Sequence, residues 1–347
     1  MRVLLIVVAI AAASAAAACS APAPAADGPP PQRAFYYWRT TFRLAPAEER
    51  ALAELSVTRL YLRAFDVEWS AAEGAPSMIG KVAPAAGARV PAGIEVIPVV
   101  FLREEVFRRA RDVSGLARQV WAEVGRRMAL LGVAPRELQL DCDWTDTTRD
   151  GFFDFLTAIR AEAKLPLGAT IRLHQIKYRE RTGVPPVERG MLMFYNMGEF
   201  SADPGARAIF DPASAARYLA RVAGYPLPLD VALPIWSWTV HLRDDLVEGL
   251  LQSTDPDELA ALPFLARAAP DRYAVTRSAF LHGTLLREGD VLKVEVTGPA
   301  EALAAAAQIA PHLARTPGRT VSLFDLSERN LARHAPASLD QVFRAVR

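Results

Sequence analysis

Leu138-Gln-Leu-Asp-Cys-Asp-Trp-Thr145 is the most informative stretch of this 347-residue sequence. Side chains alternate along a β-strand, so the apolar residues at positions 138, 140 and 142 would share one face, and Asp141 and Asp143 the other. The β-carbons of these aspartates would lie about 7 Å apart, because a strand rises about 3.3 Å per residue. Acidic side chains are rarely buried without a partner. The stretch therefore predicts a buried strand whose paired carboxylates open into a ligand site.

Seven other segments rich in strand-forming residues lie along the chain. The eight candidate strands are 34–42, 59–69, 94–102, 137–144, 167–176, 190–197, 231–239 and 320–326, and amphipathic helical patterns cover 46–55, 114–131, 149–164, 212–223 and 299–313. Repeated strand-then-helix order indicates parallel strands covered by helices, and eight units predict an α/β fold, the closed (β/α)8 TIM barrel. An open doubly wound sheet is the alternative. Two β-like runs within 273–297 predict a β-hairpin inserted between strands seven and eight.

The first 33 residues have the features of an export signal followed by a tether. Arg2 precedes an apolar run over residues 3–18, and small residues lead to Cys19. This run is short for a membrane span and resembles a bacterial lipoprotein signal, with plain secretion as the alternative. We expect residues 1–19 to be the signal peptide, with Cys19 as the lipidated membrane anchor. Residues 20–33 would form a proline-rich tether, and residues 34–347 a single barrel domain.

The residue after the anchor and the overall composition bear on location and partners. Ser20 resembles the sorting signal for the outer membrane, so we expect a lipid-anchored envelope protein on the periplasmic face of that membrane. The formal net charge is +1, which lacks the basic footprint of nucleic-acid binding. The five histidines are scattered without zinc-type spacing. The sequence predicts no metal and no cofactor, and it leaves Cys142 without an intramolecular disulfide partner if Cys19 carries lipid.

Functional side chains of TIM barrels gather at the carboxyl ends of the strands. The predicted strand ends supply acids, other polar groups and aromatic rings, namely Asp66, Glu68, Asp141, Asp143, Arg39, Arg63, His174, Asn196, Tyr195, Trp236 and Trp238. Aromatic faces pack on the CH surfaces of sugar rings, while carboxylate, amide and guanidinium groups match sugar hydroxyls. This mixture predicts a carbohydrate or peptidoglycan-like ligand. Alternatively, the tryptophans are core residues and the arginines only neutralise the acids.

Two short segments resemble the chitinase-type (family-18) glycoside hydrolases. The fourth strand of that family carries Asp-x-x-Asp-x-Asp-x-Glu, and Asp141 and Asp143 match its second and third acids. Met193-Phe-Tyr-Asn196 is similar to the sixth-strand pattern Met-x-Tyr-Asp. Trp236 or Trp238 would correspond to the tryptophan that forms the floor of the sugar subsite. The resemblance implies a TIM barrel with a sugar site at its mouth.

Nearly the whole domain also resembles a bacterial family of uncharacterised TIM-barrel lipoproteins. The segments that carry this likeness are Phe65-Asp-Val-Glu-Trp69, residues 138–145 and Met193-Phe-Tyr-Asn-Met-Gly198. That family has no assigned activity to transfer. This second resemblance therefore implies a fold and not a reaction.

Thr145 stands where chitinase-type enzymes have the glutamate that protonates the leaving group, and a hydroxyl is too weak an acid for that role. The usual glycosidase needs a proton donor and a second carboxylate, about 5–5.5 Å apart for retention or about 6.5–9.5 Å for inversion. Repulsion from Asp141 would raise the pKa of Asp143 and fit it as the acid. The second carboxylate would come from strand two or strand eight, which offer Asp66, Glu68, Asp325 and Glu328. We expect Asp143, Asp141 and Asp66 to be catalytic and the other mouth residues to bind substrate.

Three functional hypotheses stay open. The first is a glycoside hydrolase-like envelope lipoprotein that acts on a polysaccharide by carboxylate acid–base chemistry. The second, motivated by Thr145, is a catalytically inactive barrel that binds glycan. The third is a Mg²⁺-dependent phosphatase, because Asp141-Cys-Asp-Trp-Thr145 also fits the motif Asp-x-Asp-x-Thr of haloacid-dehalogenase-like enzymes.

Overall fold

Eight parallel strands close into a ring in the computed structural model, which describes residues 30–346 apart from 199, 204, 253 and 255. The barrel strands are β1 (Gln32–Tyr37), β2 (Arg59–Ser70), β3 (Glu95–Leu102), β4 (Leu138–Cys142), β5 (Leu167–Ile171), β6 (Arg189–Met193), β7 (Leu229–Pro234) and β8 (Thr320–Phe324). Strand β1 pairs with both β2 and β8, which closes the ring. The predicted TIM barrel is confirmed. The predicted signal peptide, Cys19 and most of the tether lie outside the described residues.

Helices follow the strands and cover the outside of the barrel. They are α1 (Pro46–Glu54), α2 (Glu105–Arg109), α3 (Val113–Leu130), α4 (Arg149–Ala163), α5 (Leu173–Lys177), α6 (Arg179–Thr182), α7 (Pro212–Leu219), α8 (Pro256–Ala260), α9 (Pro299–Ile309), α10 (Glu328–Arg333) and α11 (Pro336–Ala345). In α3, Leu116, Val120 and Val124 recur every four residues and are buried, because that spacing keeps them on one face. Within the described part of the chain, no helix is both long and apolar enough to cross a membrane.

Aromatic and polar side chains fill the inside of the barrel below its mouth. Tyr36 on β1 stacks on Tyr61 of β2 with ring centroids 5.0 Å apart. The Tyr36 hydroxyl also donates a hydrogen bond of 2.6 Å to Gln139 Oε1 on β4. Met191 and Met193 of β6 pack into the same buried cluster. The inside of the barrel is therefore a packed core rather than a pore.

Residues between the strands and the helices form the larger, outer part of the core. Trp144, just after β4, is fully buried there and stacks on Phe152 of α4 with centroids 5.2 Å apart. Its indole N–H donates a hydrogen bond of 2.8 Å to the backbone carbonyl of Thr182. Trp144 therefore fastens the end of β4 to the helical layer and does not face the mouth.

The insertion between β7 and β8 is larger than the predicted hairpin. It is a five-stranded antiparallel sheet in the order Leu246–Gln252, Ser237–Arg243, Val291–Val296, Arg272–Val275 and Leu265–Ala269, with a small hairpin of Ala279–Leu281 and Thr284–Leu286. The predicted strand 231–239 spans two strands of different sheets, because β7 ends at Pro234 and a strand of the insertion begins at Ser237. The apolar pattern continues across this break, so strand periodicity alone does not reveal it.

A buried ion pair fixes the loop after β6 to the inserted sheet. The Lys293 ammonium group donates hydrogen bonds to the backbone carbonyls of Ser201, Asp203 and Ala206 at 3.2, 2.9 and 2.6 Å. The neighbouring Glu295 accepts hydrogen bonds from the backbone N–H groups of residues 208 and 209 at 2.9 and 3.3 Å. The two side chains pair with each other at 3.5 Å. This pair holds one wall of the barrel mouth in place.

We predict that Trp144→Ala lowers the free energy of unfolding by about 3–5 kcal/mol, because it leaves a large cavity in the outer core. Trp144→Phe keeps an aromatic ring and should cost less, mainly for the lost hydrogen bond to Thr182. Urea unfolding measures both effects. Phe280→Ala is the control, since Phe280 is 71% exposed and should change stability by less than about 0.5 kcal/mol. Equal losses for Trp144→Ala and Phe280→Ala would contradict the packing described here.

Candidate functional site

A cavity of about 630 Å³ opens at the carboxyl ends of the barrel strands. Its wall contains eight of the residues that the sequence nominates for this position, namely Arg39, Asp66, Asp141, Tyr195, Asn196, Trp236, Trp238 and Asp325. These side chains come from segments as far apart as β1 and the inserted sheet. The closed ring brings them together because all its strands end on the same side.

Asp141, Asp143 and Arg172 form the charged centre of this mouth. Asp141 is buried at the end of β4, and its Oδ1 accepts hydrogen bonds from Thr170 Oγ1 at 2.6 Å and from Arg172 Nη2 at 3.2 Å. Arg172 follows β5 and donates from Nε to Asp143 Oδ1 at 2.5 Å. One guanidinium group therefore binds both carboxylates. The sequence predicts that both acids open into one site, but only Asp141 lines the main cavity, and Asp143 is linked to it through this shared arginine.

Burial and charge act against each other at this centre. Burial raises the pKa of Asp141 above its ordinary value, and repulsion from Asp143 adds to this, while the Arg172 guanidinium acts in the opposite direction. Burial alone would lower the pKa of Arg172, but the two carboxylates outweigh it and raise that pKa. Arg172 therefore remains a cation, and Asp141 is a buried carboxylate that depends on it.

Asp143 and His174 line a smaller cavity of about 220 Å³ beside the main one. Both cavities share Arg172, Tyr195 and Asn196 in their walls. His174 does not lie on β5 as predicted, because that strand ends at Ile171 and α5 begins at Leu173. The helix carries His174 to the side of Asp143 rather than into the main cavity. Asp143 is also more exposed than Asp141, with 54% of its side chain accessible.

Strand β2 contributes one acid to the cavity and holds a second one outside it. Asp66 lines the main cavity and accepts two hydrogen bonds from Arg63, at 2.7 Å from Nε and 2.5 Å from Nη2. Arg63 thus stands behind Asp66 rather than in the cavity wall. Glu68 pairs with Arg103 at 3.4 Å, and it does not line either mouth cavity. Only Asp66 is therefore placed for contact with a ligand there.

An aromatic cluster forms another part of the main cavity wall. Its central ring, Phe324, was not predicted from the sequence. Phe324 at the end of β8 packs against Trp38, Tyr195 and Trp236, with centroid distances of 5.5, 5.6 and 5.2 Å. The predicted Trp236 also makes an edge contact of 4.7 Å with Tyr195. Its position at the carboxyl end of a barrel strand is the sequence feature that could have identified Phe324 as a site residue.

Trp238 belongs to the inserted sheet and extends this aromatic wall outward. It lies 6.1 Å from Trp236 and 5.0 Å from Phe200 of the loop after β6, between ring centroids. Its indole N–H donates a hydrogen bond of 3.1 Å to Glu295, the acid that also holds that loop. The insertion therefore does more than cover the barrel, because it supplies part of the cavity wall.

Asp325, next to Phe324, is the third acid of the main cavity and is partly buried. Its Oδ1 accepts a hydrogen bond of 2.6 Å from the side-chain amide of Asn330 in α10. Burial raises the pKa of Asp325 to about 6, although Arg39 and the Asn330 hydrogen bond oppose that shift. Arg39 itself donates to both oxygens of the buried Glu48 at 2.8 and 2.9 Å. The Asp325 carboxyl group is therefore about half protonated near pH 6.

Thr145 lies away from both cavities. Its backbone N–H donates a hydrogen bond of 2.9 Å to Thr148 Oγ1, and its hydroxyl lies 3.0 Å from the Thr147 hydroxyl at the start of α4. Strand β4 ends at Cys142, so the alternation of side chains does not carry Thr145 to the mouth. The position that holds the acid in chitinase-type enzymes therefore serves here to begin a helix.

The phosphatase hypothesis lacks the fold that it requires. Its motif belongs on the first strand of an open sheet, whereas Asp141 lies on the fourth strand of a closed ring. Arg172 occupies the space between the two aspartates, where a bridging cation would bind. Among the described residues, no group of three or more His, Cys, Asp or Glu side chains could hold a metal ion.

We predict that Arg172→Gln lowers the free energy of unfolding at pH 7 by about 3–5 kcal/mol, because it leaves the buried Asp141 carboxylate without its cation. The loss should shrink near pH 4, since a raised folded pKa lets Asp141 accept a proton before the unfolded chain does. Urea unfolding at both pH values measures the difference.

Arg181→Gln is the matched control, because Arg181 pairs with the exposed Asp146 at 2.6 Å. It should cost less than about 1 kcal/mol at either pH. A cost of Arg172→Gln that is as small, or that grows as the pH falls, would refute the assigned role of the guanidinium.

No known protein-family model matches this chain, and no curated protein matches it in sequence. Solved structures share its fold. A chitinase from Chromobacterium violaceum is 13% identical, with a TM-score of 0.52 over 90% of this chain and 98% of the chitinase. A chitinase-like agglutinin from Robinia pseudoacacia is 12% identical, with a TM-score of 0.51 over 90% of this chain and 99% of the agglutinin.

The spore cortex-lytic enzyme of Bacillus cereus is a third structure with this fold. It is 13% identical, with a TM-score of 0.50 over 91% of this chain and 73% of the enzyme. At such low identity the likeness establishes the fold alone. It confirms that this chain is a TIM barrel distantly similar to chitinase-type proteins.

Proposed function

We propose that this protein is a glycoside hydrolase-like barrel that binds a glycan at its mouth. The observation that carries the proposal is the composition of the main cavity wall, which contains Trp236, Trp238 and Phe324 together with carboxylates. Aromatic rings offer flat apolar surfaces to the CH faces of a sugar, and the acids and arginines offer hydrogen bonds to its hydroxyls. A volume of about 630 Å³ is within the range of small-ligand sites.

The shared fold supports the same ligand class. Two of the structures named above are a chitinase and a chitinase-like agglutinin, so this fold serves both catalytic proteins and lectin-type proteins. Thr145 stands in place of the usual acid of the catalytic members, and Arg172 binds both Asp141 and Asp143. Glycan binding is therefore the function that this geometry supports best, with a polysaccharide or peptidoglycan-like chain as the ligand.

We predict that Trp236→Ala weakens glycan binding by about tenfold or more, or about 1.4 kcal/mol, because it removes the aromatic ring at the centre of the wall. Isothermal titration calorimetry with a chitin tetrasaccharide and with solubilised peptidoglycan strands measures the affinity. Phe280→Ala, an exposed aromatic on the inserted hairpin, should leave it unchanged. If the wild-type protein binds neither probe, or the two variants lose affinity equally, a mouth site for these glycans is wrong.

We further propose that Cys19 is lipidated and that the protein faces the periplasm from the outer membrane. The apolar run over residues 3–18, the small residues before Cys19 and the proline-rich stretch after it support this. A lipid anchor followed by a tether would hold the barrel near envelope glycans. The ligand class and the location are therefore consistent with each other.

We predict that Cys19→Ser abolishes incorporation of labelled palmitate in a Gram-negative host and moves the protein out of the membrane fraction, because the acylated thiol is lost. Ser20→Asp should keep the label but move the protein from the outer to the inner membrane on a sucrose gradient. Wild-type protein that takes up no label, or that stays in the membrane after Cys19→Ser, would rule out this anchor.

A further inference from the structure

Two acids of the main cavity come from opposite strands of the barrel ring. Asp325 follows β8 and Asp141 lies in β4, and these strands are four positions apart in either direction around the eight-stranded ring. Both side chains line the same cavity. A sugar bound in that cavity would therefore have one carboxyl group on each side.

The surroundings of these two acids make them chemically different. Asp325 is held by an amide, the Asn330 side chain, which is uncharged. Asp141 is held by a cation, Arg172, and by the Thr170 hydroxyl, both on its Oδ1. Acid–base catalysis needs two titratable groups with different environments. Burial raises the pKa of both acids, to about 6 for Asp325, but only Asp141 has a hydrogen-bonded cation that opposes the shift.

We propose that the barrel mouth hydrolyses the glycan it binds, with Asp325 as the general acid and Asp141 as the general base of an inverting reaction. The proposal rests on the glycan site of the preceding section. It moves the proton donor from the fourth strand, where chitinase-type enzymes have it, to the end of the eighth. It also replaces Asp143 and Asp66, the other acids predicted to be catalytic, by a pair on opposite sides of the sugar.

The reaction uses water as its only co-reactant. The Asp325 carboxyl group gives its proton to the glycosidic oxygen as the bond from that oxygen to the anomeric carbon breaks. A water molecule on the opposite face gives its oxygen to the anomeric carbon and one proton to Asp141. The products are a reducing sugar of inverted configuration and a free sugar hydroxyl. Asp141 then returns its proton to solvent, and Asp325 takes one up.

The dependence of activity on pH distinguishes a proton-donating role of Asp325 from a purely structural one. Activity should fall as the pH rises above about 6, because Asp325 then loses the proton that it must donate. The charged and titratable groups that face Asp325 are Arg39 and Tyr37 from the end of β1, and Glu48 from α1.

The test compares wild-type protein with Asp325→Asn, Asp141→Asn and the control Asp146→Asn, whose aspartate pairs with Arg181 on the surface. The probes are a chitin tetrasaccharide, solubilised peptidoglycan strands and a nitrophenyl chitobioside. We expect the wild type to cleave at least one probe, with inversion seen by proton NMR of the fresh product. Asp325→Asn should lower cleavage of natural linkages 10²- to 10⁴-fold, while its affinity stays within about threefold and the control stays unchanged.

The nitrophenyl probe separates the two roles, because nitrophenolate leaves without a proton. Asp325→Asn should cleave it far better than it cleaves the tetrasaccharide, whereas Asp141→Asn should cleave neither. Binding of the tetrasaccharide without cleavage of any probe would overturn this inference and leave glycan binding intact. Binding of no probe would overturn both. Cleavage with retention, or cleavage that Asp325→Asn does not reduce, would overturn the assigned residues.

Discussion

The shared guanidinium group of Arg172 is the interaction on which the barrel mouth depends. A carboxylate as buried as Asp141 is unfavourable unless a cation and hydrogen-bond donors surround it, and Arg172 and Thr170 provide both. All three residues lie at the ends of neighbouring strands, so the register of β4 and β5 determines whether the contacts form. The apolar faces of the same two strands fix this register. Because they do, the polar side chains at the strand ends are held in contact, and the centre of the cavity can be polar.

The rest of the mouth is held from the outside. Phe324 and Trp236 pack on the end of the barrel, but Trp238 belongs to the inserted sheet, and Glu295 of that sheet binds both the Trp238 indole and the loop after β6. Lys293 completes the link through three backbone carbonyl groups. A site formed by loops alone would be mobile, whereas here a packed antiparallel sheet supports one wall. The insertion and the barrel therefore form the wall of this cavity together.

Local patterns predicted the elements, but they did not predict where neighbouring elements stop. Alternation along residues 138–142 correctly placed Asp141 on the inner face, and strand-then-helix order was enough for the barrel. The same reasoning wrongly placed His174 and Thr145 on strands, although both residues lie beyond the strand ends. The reason is that the apolar residues just before them, Leu173 and Trp144, fit a strand face as well as they fit the start of a helical segment. The five-stranded insertion and the contact of Arg172 with both acids depend on residues distant in sequence. No local periodicity contains that information.

Thr145 shows why a short motif does not determine a reaction. In this chain β4 ends at Cys142, and the residues that follow turn away to begin α4, so a glutamate at position 145 would also lie outside the cavity. This chain therefore differs from the chitinase-type pattern in the path of its backbone after β4, and not only in the side chain at position 145. The two carboxylates at the end of β4, Asp141 and Asp143, both bind Arg172. Any proton donor must then come from another strand end, and among the described acids of the main cavity Asp325 alone is held by a neutral partner while Asp66 and Asp141 are held by arginines.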